Sequence, residues 1–186
     1  MLRFAPRDAV VVIDVINDFD HEDGAQLLEC FRLRLPAMVS TLEQARQTKT
    51  PVVYVNDELI PWQSNFPGVI ERALKGIGAD VVRELLPRPG EYALLKRRYS
   101  AFDHTTLDLL LEELEVERLV MIGASIEGCV VQTAIDAREH GFKTTIVANA
   151  CASARPELEE TALTYAESVV GAQIARAPET KRAARP

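Results

Sequence analysis

The run Ala9-Val-Val-Val-Ile-Asp14 constrains the fold of this chain most tightly. It is apolar and β-branched with no polar alternation, the pattern of a strand buried on both faces. Such a strand needs helices above and below its sheet, and the rest of the sequence supplies strands and helices in alternation. Pro51-Val-Val-Tyr-Val55 reads as a second strand, opened by a proline where the missing N–H costs least. Tyr92-Ala-Leu-Leu95, Leu119-Val-Met-Ile122 and Thr144-Thr-Ile-Val-Ala148 read as the third to fifth strands, and Gln173-Ile-Ala as a short sixth. A helical pattern runs from Gln26 to Gln47 with a bend at Pro36. Leu107, Leu110, Leu111 and Leu114 share helical spacing, with Thr105 and Asp108 as a capping-box-like start. A last helix opens at Pro156, with Leu158, Ala162, Tyr165 and Val169 on one face. Between them, Asn56 to Gly78 reads as a long loop holding a short helix. The expectation is an α/β three-layer sandwich with a mostly parallel, right-handed, doubly wound sheet. Residues 1–176 are expected to form one domain and residues 177–186 a polar, frayed tail.

Composition excludes several classes of function. The chain has 186 residues, 47% of them hydrophobic, enough for one substantial core. Its 21 basic and 28 acidic residues leave a formal charge of −7, which speaks against a nucleic-acid partner. No apolar run has the length of a bilayer, and Met1-Leu-Arg-Phe-Ala-Pro-Arg7 lacks a secretory apolar region. Cys30, Cys129 and Cys151 are odd in number and have no metal-like spacing. A cytoplasmic protein without a disulfide framework, membrane contact or cofactor is therefore expected. No G-x-G-x-x-G or P-loop pattern follows the first strand, which argues against nucleotide binding.

In an open α/β sheet, ligands bind beyond the carboxyl ends of the strands. Three chemically capable residues fall there independently: Asp14, Lys96 and Cys129. Cys129 lies in Gly123-Ala-Ser-Ile-Glu-Gly-Cys129-Val-Val-Gln-Thr-Ala134, a strand–turn–helix pattern placing it at a helix start. Unpaired N–H groups and the helix dipole there favour a thiolate, and the same N–H groups suit a developing oxyanion. A neighbouring carboxylate can take and return the thiol proton, and an ammonium between the two favours both anions. Each residue also has an ordinary use: Asp14 as a strand-end turn residue, Lys96 as a solvated cation beside Arg97 and Arg98, Cys129 as a small buried hydrophobe. Phe19, Asn56, Asp57, Trp62 and Tyr99 follow strand ends or lie in the long loop, so they are candidate substrate-binding groups. Packing is the commoner use for Phe19 and Tyr99, Asn56-Asp57 suits an Asx turn, and Trp62 in a proline-flanked loop suits a lid. His21, His104 and His140 share no ligand spacing, and only His21 falls near the expected mouth. Cys30 reads as core, whereas Cys151 follows the fifth strand, close to the site.

Val12-Ile-Asp14-Val-Ile-Asn-Asp-Phe19, Lys96-Arg-Arg-Tyr-Ser-Ala-Phe102 and the Gly123–Ala134 stretch together resemble the isochorismatase-like cysteine hydrolases, which include nicotinamidases and N-carbamoylsarcosine amidases. The resemblance implies a six-stranded, mainly parallel sheet and an Asp–Lys–Cys triad matched by Asp14, Lys96 and Cys129. It also implies an oxyanion hole from the N–H groups of Ser125 and Cys129, set by a non-proline cis peptide before Ser125. Family members often carry glutamine at the position of Ile16 and threonine at that of Ile126. Nicotinamidases supply two histidines to a metal after the aspartate matched by Asp57, where this chain has Leu59 and Asn65, so no metal is expected. The expected function is a metal-independent cysteine hydrolase acting on a small amide or carbamoyl compound through a thioester. The alternatives are an isochorismatase-type vinyl-ether hydrolase and a non-catalytic small-molecule-binding module. A homo-oligomer is expected from the resemblance and the long loop.

Overall fold

Six strands pair in parallel in the order β3-β2-β1-β4-β5-β6. They are β1 (Asp8–Ile13), β2 (Val52–Asp57), β3 (Tyr92–Lys96), β4 (Arg118–Gly123), β5 (Lys143–Cys151) and β6 (Gln173–Ala175). The structure is a computed structural model describing residues 2–60, 62–63 and 65–178. The helices are α1 (Gly24–Gln47), α2 (Phe66–Ala73), α3 (Ala79–Leu85), α4 (Leu107–Glu113), α5 (Val131–Glu139) and α6 (Pro156–Tyr165). One π turn, Ile126–Val130, leads into α5, and another, Ala166–Val170, closes α6. The expected α/β doubly wound sandwich is observed, with a wholly rather than mostly parallel sheet, as crossover helices on both faces dictate.

Each residue of β1 is buried, and its alternate side chains feed two separate cores. Val10 and Val12 face Phe31, Met38 and Leu42 of α1. Val11 and Ile13 face Leu107 and Leu111 of α4 and Val130 and Ala134 of the cysteine segment. This explains the missing alternation in the sequence: both faces of the strand are interior. Pro36 sits inside α1 without ending it.

The segment from Asn56 to Gly78 holds one short helix, α2, as expected, and α3, which follows it, packs Val81, Val82 and Leu85 into the α1 core. One detail departs from the sequence pattern. The tail does not fray from residue 177: Ala177 is buried, and its N–H and C=O exchange hydrogen bonds of 2.9 Å with the Asn149 side chain. Residues 179–186 of the expected tail lie outside the described residues. Among the described residues, no helix is long and apolar enough to cross a membrane.

Sheet order changes direction between β1 and β4, so connections leave these strands to opposite sides and open a crevice at their carboxyl ends.

Candidate active site

Asp14, immediately after β1, adopts a left-handed φ of 51°, a conformation aspartate tolerates better than most residues. Its Oδ1 accepts the Asp57 N–H at 2.6 Å, and its Oδ2 lies 2.8 Å from Lys96 Nζ. Lys96 ends β3, two strands away, and its chain passes over the end of β2, where Asp57 is its register partner. The Lys96 side chain is only 1% exposed. Its Nζ also donates to the Arg98 carbonyl at 3.0 Å and lies 3.5 Å from Cys129 Sγ. The three donors of the ammonium thus have three acceptors, the arrangement a buried cation needs. The neighbouring Asp14 carboxylate, then the Cys129 sulfur, holds Lys96 above its ordinary range against the opposing effect of burial.

Cys129 is positioned by a turn that only glycine permits at its start. Gly123 has φ +124°, and a Cβ there would lie 1.9 Å from the Ile13 carbonyl oxygen. The Ala124–Ser125 peptide is cis. Ala152 N–H donates to Gly123 O at 2.8 Å and Ile126 N–H to Ala152 O at 3.0 Å, tying the turn to the end of β5. Ser125 O then accepts from both Gly128 and Val130, so Cys129 sits within a π turn rather than in a first α turn. Among the described residues, the Ser125 N–H has no acceptor. Thr133, one turn on, donates to Cys129 O at 2.6 Å and accepts the Ala101 N–H at 3.0 Å, locking the cysteine segment to the loop after β3.

The expected thiolate is not the resting form. Burial pushes the Cys129 thiol up to about 12, the Asp14 carboxylate adds to this, and Lys96 opposes it without prevailing. The sequence argument credited the helix start but had no measure of the desolvation cost, which here is the larger effect.

A cavity of about 410 Å³ opens beside these groups and is bounded by Asp14, Ile16, Asn56, Asp57, Leu59 and Ser125 among others. Of the expected substrate-binding residues, Asn56 and Asp57 line it. Asn56 is buried and also acts as a clamp, since its side chain accepts the Ile16 N–H at 2.9 Å and donates to Ile16 O at 3.0 Å. This clamp supports the loop that follows β1. Asp57 is raised above the ordinary carboxylate range, first by desolvation, with Lys96 opposing and Asp14 reinforcing.

The other three lie elsewhere. Phe19 is 2% exposed and packs edge-on against Phe31 with ring centroids 5.3 Å apart, a core role imposed by the space beneath α1 and α3. Trp62 is 85% exposed and lies over the Arg97 guanidinium at 3.5 Å, outside the cavity wall, while Arg97 also pairs with Glu58 at 3.4 Å. Tyr99 is exposed on a separate depression with Arg98 and Gln132. Cys151 ends β5 inside the second core with its sulfur toward Met121 O at 3.8 Å. Cys30 is buried in the first core and accepts the Ser153 N–H at 3.3 Å. His21 lines the cavity, His140 stacks on Phe102, and His104 is exposed beside Asp103. Asn65 caps α2 through Gly68 N–H at 2.9 Å, and Leu59 is an apolar part of the cavity wall. Among the described residues, no group of three or more His, Cys, Asp or Glu could hold a metal.

Residues absent from the sequence reading also shape the site. Arg72 of α2 reaches Asp18 at 2.5 Å, and both line the cavity. Their separation along the chain gave no signal. Thr133, four residues after Cys129 on a helical pattern, was the one locatable from spacing.

Residues 8–178 match the Isochorismatase domain family. The chain is 32% identical to the uncharacterized isochorismatase family protein YaaI of Bacillus subtilis (strain 168), over 89% of this chain and 92% of that one. It is 28% identical to the maleamate amidohydrolase of Pseudomonas putida, over 94% of this chain and 86% of the relative. The crystal structure of nicotinamidase PncA from Bacillus subtilis is similar with a TM-score of 0.74 and 30% identity, covering 91% of this chain and 99% of that one.

Proposed function

The chain belongs to the isochorismatase family, and from that premise we propose that it is a cysteine hydrolase that cleaves a small amide or carbamoyl compound. One observation carries this reading: a buried lysine holds Asp14 at 2.8 Å and Cys129 at 3.5 Å, at the carboxyl edge of the sheet and beside a cavity. The names of the amidohydrolase and nicotinamidase relatives point to the same chemistry.

With a thiol at about 12, proton loss ahead of attack is unfavourable, so Asp14 takes the Cys129 proton as the sulfur bonds to the substrate carbonyl carbon. The carbonyl oxygen becomes an oxyanion held by the N–H groups of Ser125 and Cys129. Collapse breaks the C–N bond, and Asp14 returns the proton to the departing amine, leaving a thioester. Water then gives a proton to Asp14 and attacks the thioester carbon, which releases the acid and returns the proton to sulfur. Lys96 keeps Asp14 and Cys129 in register and offsets the negative charge.

A second reading is favoured by one observation: Asp14 lines the cavity, whereas Cys129 is not among its lining residues. In a vinyl-ether hydrolase Asp14 alone would act as the acid. The test is a screen of small amides for amine or ammonia release, with intact-protein mass spectrometry of the quenched reaction. The cysteine reading expects an acyl adduct on Cys129 and loss of turnover in a folded Cys129→Ala variant. Full amide turnover in that variant would overturn the cysteine reading, and cleavage of a vinyl ether by both the wild type and Cys129→Ala, with no amide turned over, would favour the ether reading.

A further inference from the structure

The cavity wall is strongly one-sided in charge. Six carboxylates line it, Asp14, Asp18, Asp20, Asp23, Asp57 and Glu58, against the single guanidinium of Arg72. Three are matched by a contacting cation: Asp14 by Lys96 at 2.8 Å, Asp18 by Arg72 at 2.5 Å and Glu58 by Arg97 at 3.4 Å. Asp20 shares Arg72 only at 3.9 Å, and Asp23 meets Arg155 only at 3.9 Å. Asp57 has no ion pair among the described residues. An anionic substrate would find the one lining cation already engaged by Asp18.

Asp57 is also the unmatched carboxylate nearest the chemistry. Its own N–H donates to Asp14 Oδ1 at 2.6 Å, so the two residues meet at the end of β2. A group resting on the Asp57 carboxylate would lie within one small molecule's length of the Asp14–Cys129 pair. In a cleft with low-dielectric walls, a carboxylate without a contacting cation discriminates by charge more sharply than in open water. We propose that the site takes a small amide or carbamoyl compound bearing a positive charge, an ammonium or amidinium, seated against Asp57. This rests on the cysteine-hydrolase reading of the same site.

The test uses thiol reagents that differ only in charge, so that no substrate need be known. Methanethiosulfonates carrying a trimethylammonium, a plain methyl or a sulfonate are reacted with the full chain in EDTA. The rate at Cys129 is read by peptide mapping and divided by each reagent's rate with the unfolded chain. The expected order is cation, neutral, anion, with the cation ahead of the anion by about tenfold or more at low salt. Added salt and Asp57→Asn should each shrink that ratio severalfold. Asp20→Asn, on a side chain 85% exposed, should shrink it less and guards against a folding defect in the first variant. Equal corrected rates for the three reagents, or a ratio unmoved by Asp57→Asn in a folded variant, would overturn the charge assignment alone. A Cys129 inert to all three while the unfolded chain reacts would overturn the cysteine-hydrolase reading and this inference with it.

Discussion

Lys96 Nζ lies 2.8 Å from Asp14 Oδ2 although their strands are not neighbours in the sheet. The lysine bridges the end of the intervening strand and arrives with its side chain almost fully buried. Removing it therefore does more than subtract a charge. Lys96→Met leaves Asp14 without a counter-ion in a closed setting, and breaking such a pair costs about 3–5 kcal/mol. Urea unfolding at pH 7 should show that loss in the wild-type background and a smaller one in an Asp14→Asn background, where the carboxylate is already gone. Equal losses in both backgrounds would mean that the ion pair is not what the lysine contributes.

The alkaline side of the stability profile should carry the signature of the buried thiols. Burial pushes both Cys129 and Cys151 from 9.0 up to about 12. A group held above its unfolded value keeps its proton more tightly in the folded chain. Its contribution is complete below about pH 9 and disappears as pH rises toward 12. Lys96, raised above 10.5, acts with the same sign at the upper end of that window. Stability should fall from pH 9 upward, and Cys129→Ala should flatten the fall. A slope unchanged by that substitution would show that the thiol titrates freely.

Phe19 and Trp62, both plausible site aromatics by sequence, should separate by stability. Phe19→Ala removes a ring packed on Phe31 and should cost about 3–5 kcal/mol in urea unfolding. Trp62→Ala removes an exposed ring over Arg97 and should cost under about 1 kcal/mol. The reverse order would place Phe19 outside the core.

Asn56→Ala strands the N–H and C=O of Ile16 in a buried setting, which costs about 1–3 kcal/mol. Hydrogen exchange at Ile16 should quicken in this variant while that of β5 stays slow. Unchanged protection at Ile16 would show that the clamp is replaceable by water.

The sequence by itself determined the elements and the end of the sheet where Asp14, Lys96 and Cys129 meet. The unalternating β-branched run of β1, the alternation of strands with helices and the glycine before the cysteine segment are local signals. They survive because period and backbone conformation are properties of neighbouring residues. Asp14, Lys96 and Cys129 were legible for the same reason, each following a strand whose end could be read. What those residues meet there was decided by tertiary structure alone. The thiol is neutral because distant elements bury it, Phe19 packs because α1 and α3 close over it, and Arg72 reaches Asp18 from a helix that the sequence left indistinct. Burial and ion pairing depend on groups far apart along the chain, and a linear pattern carries no record of them.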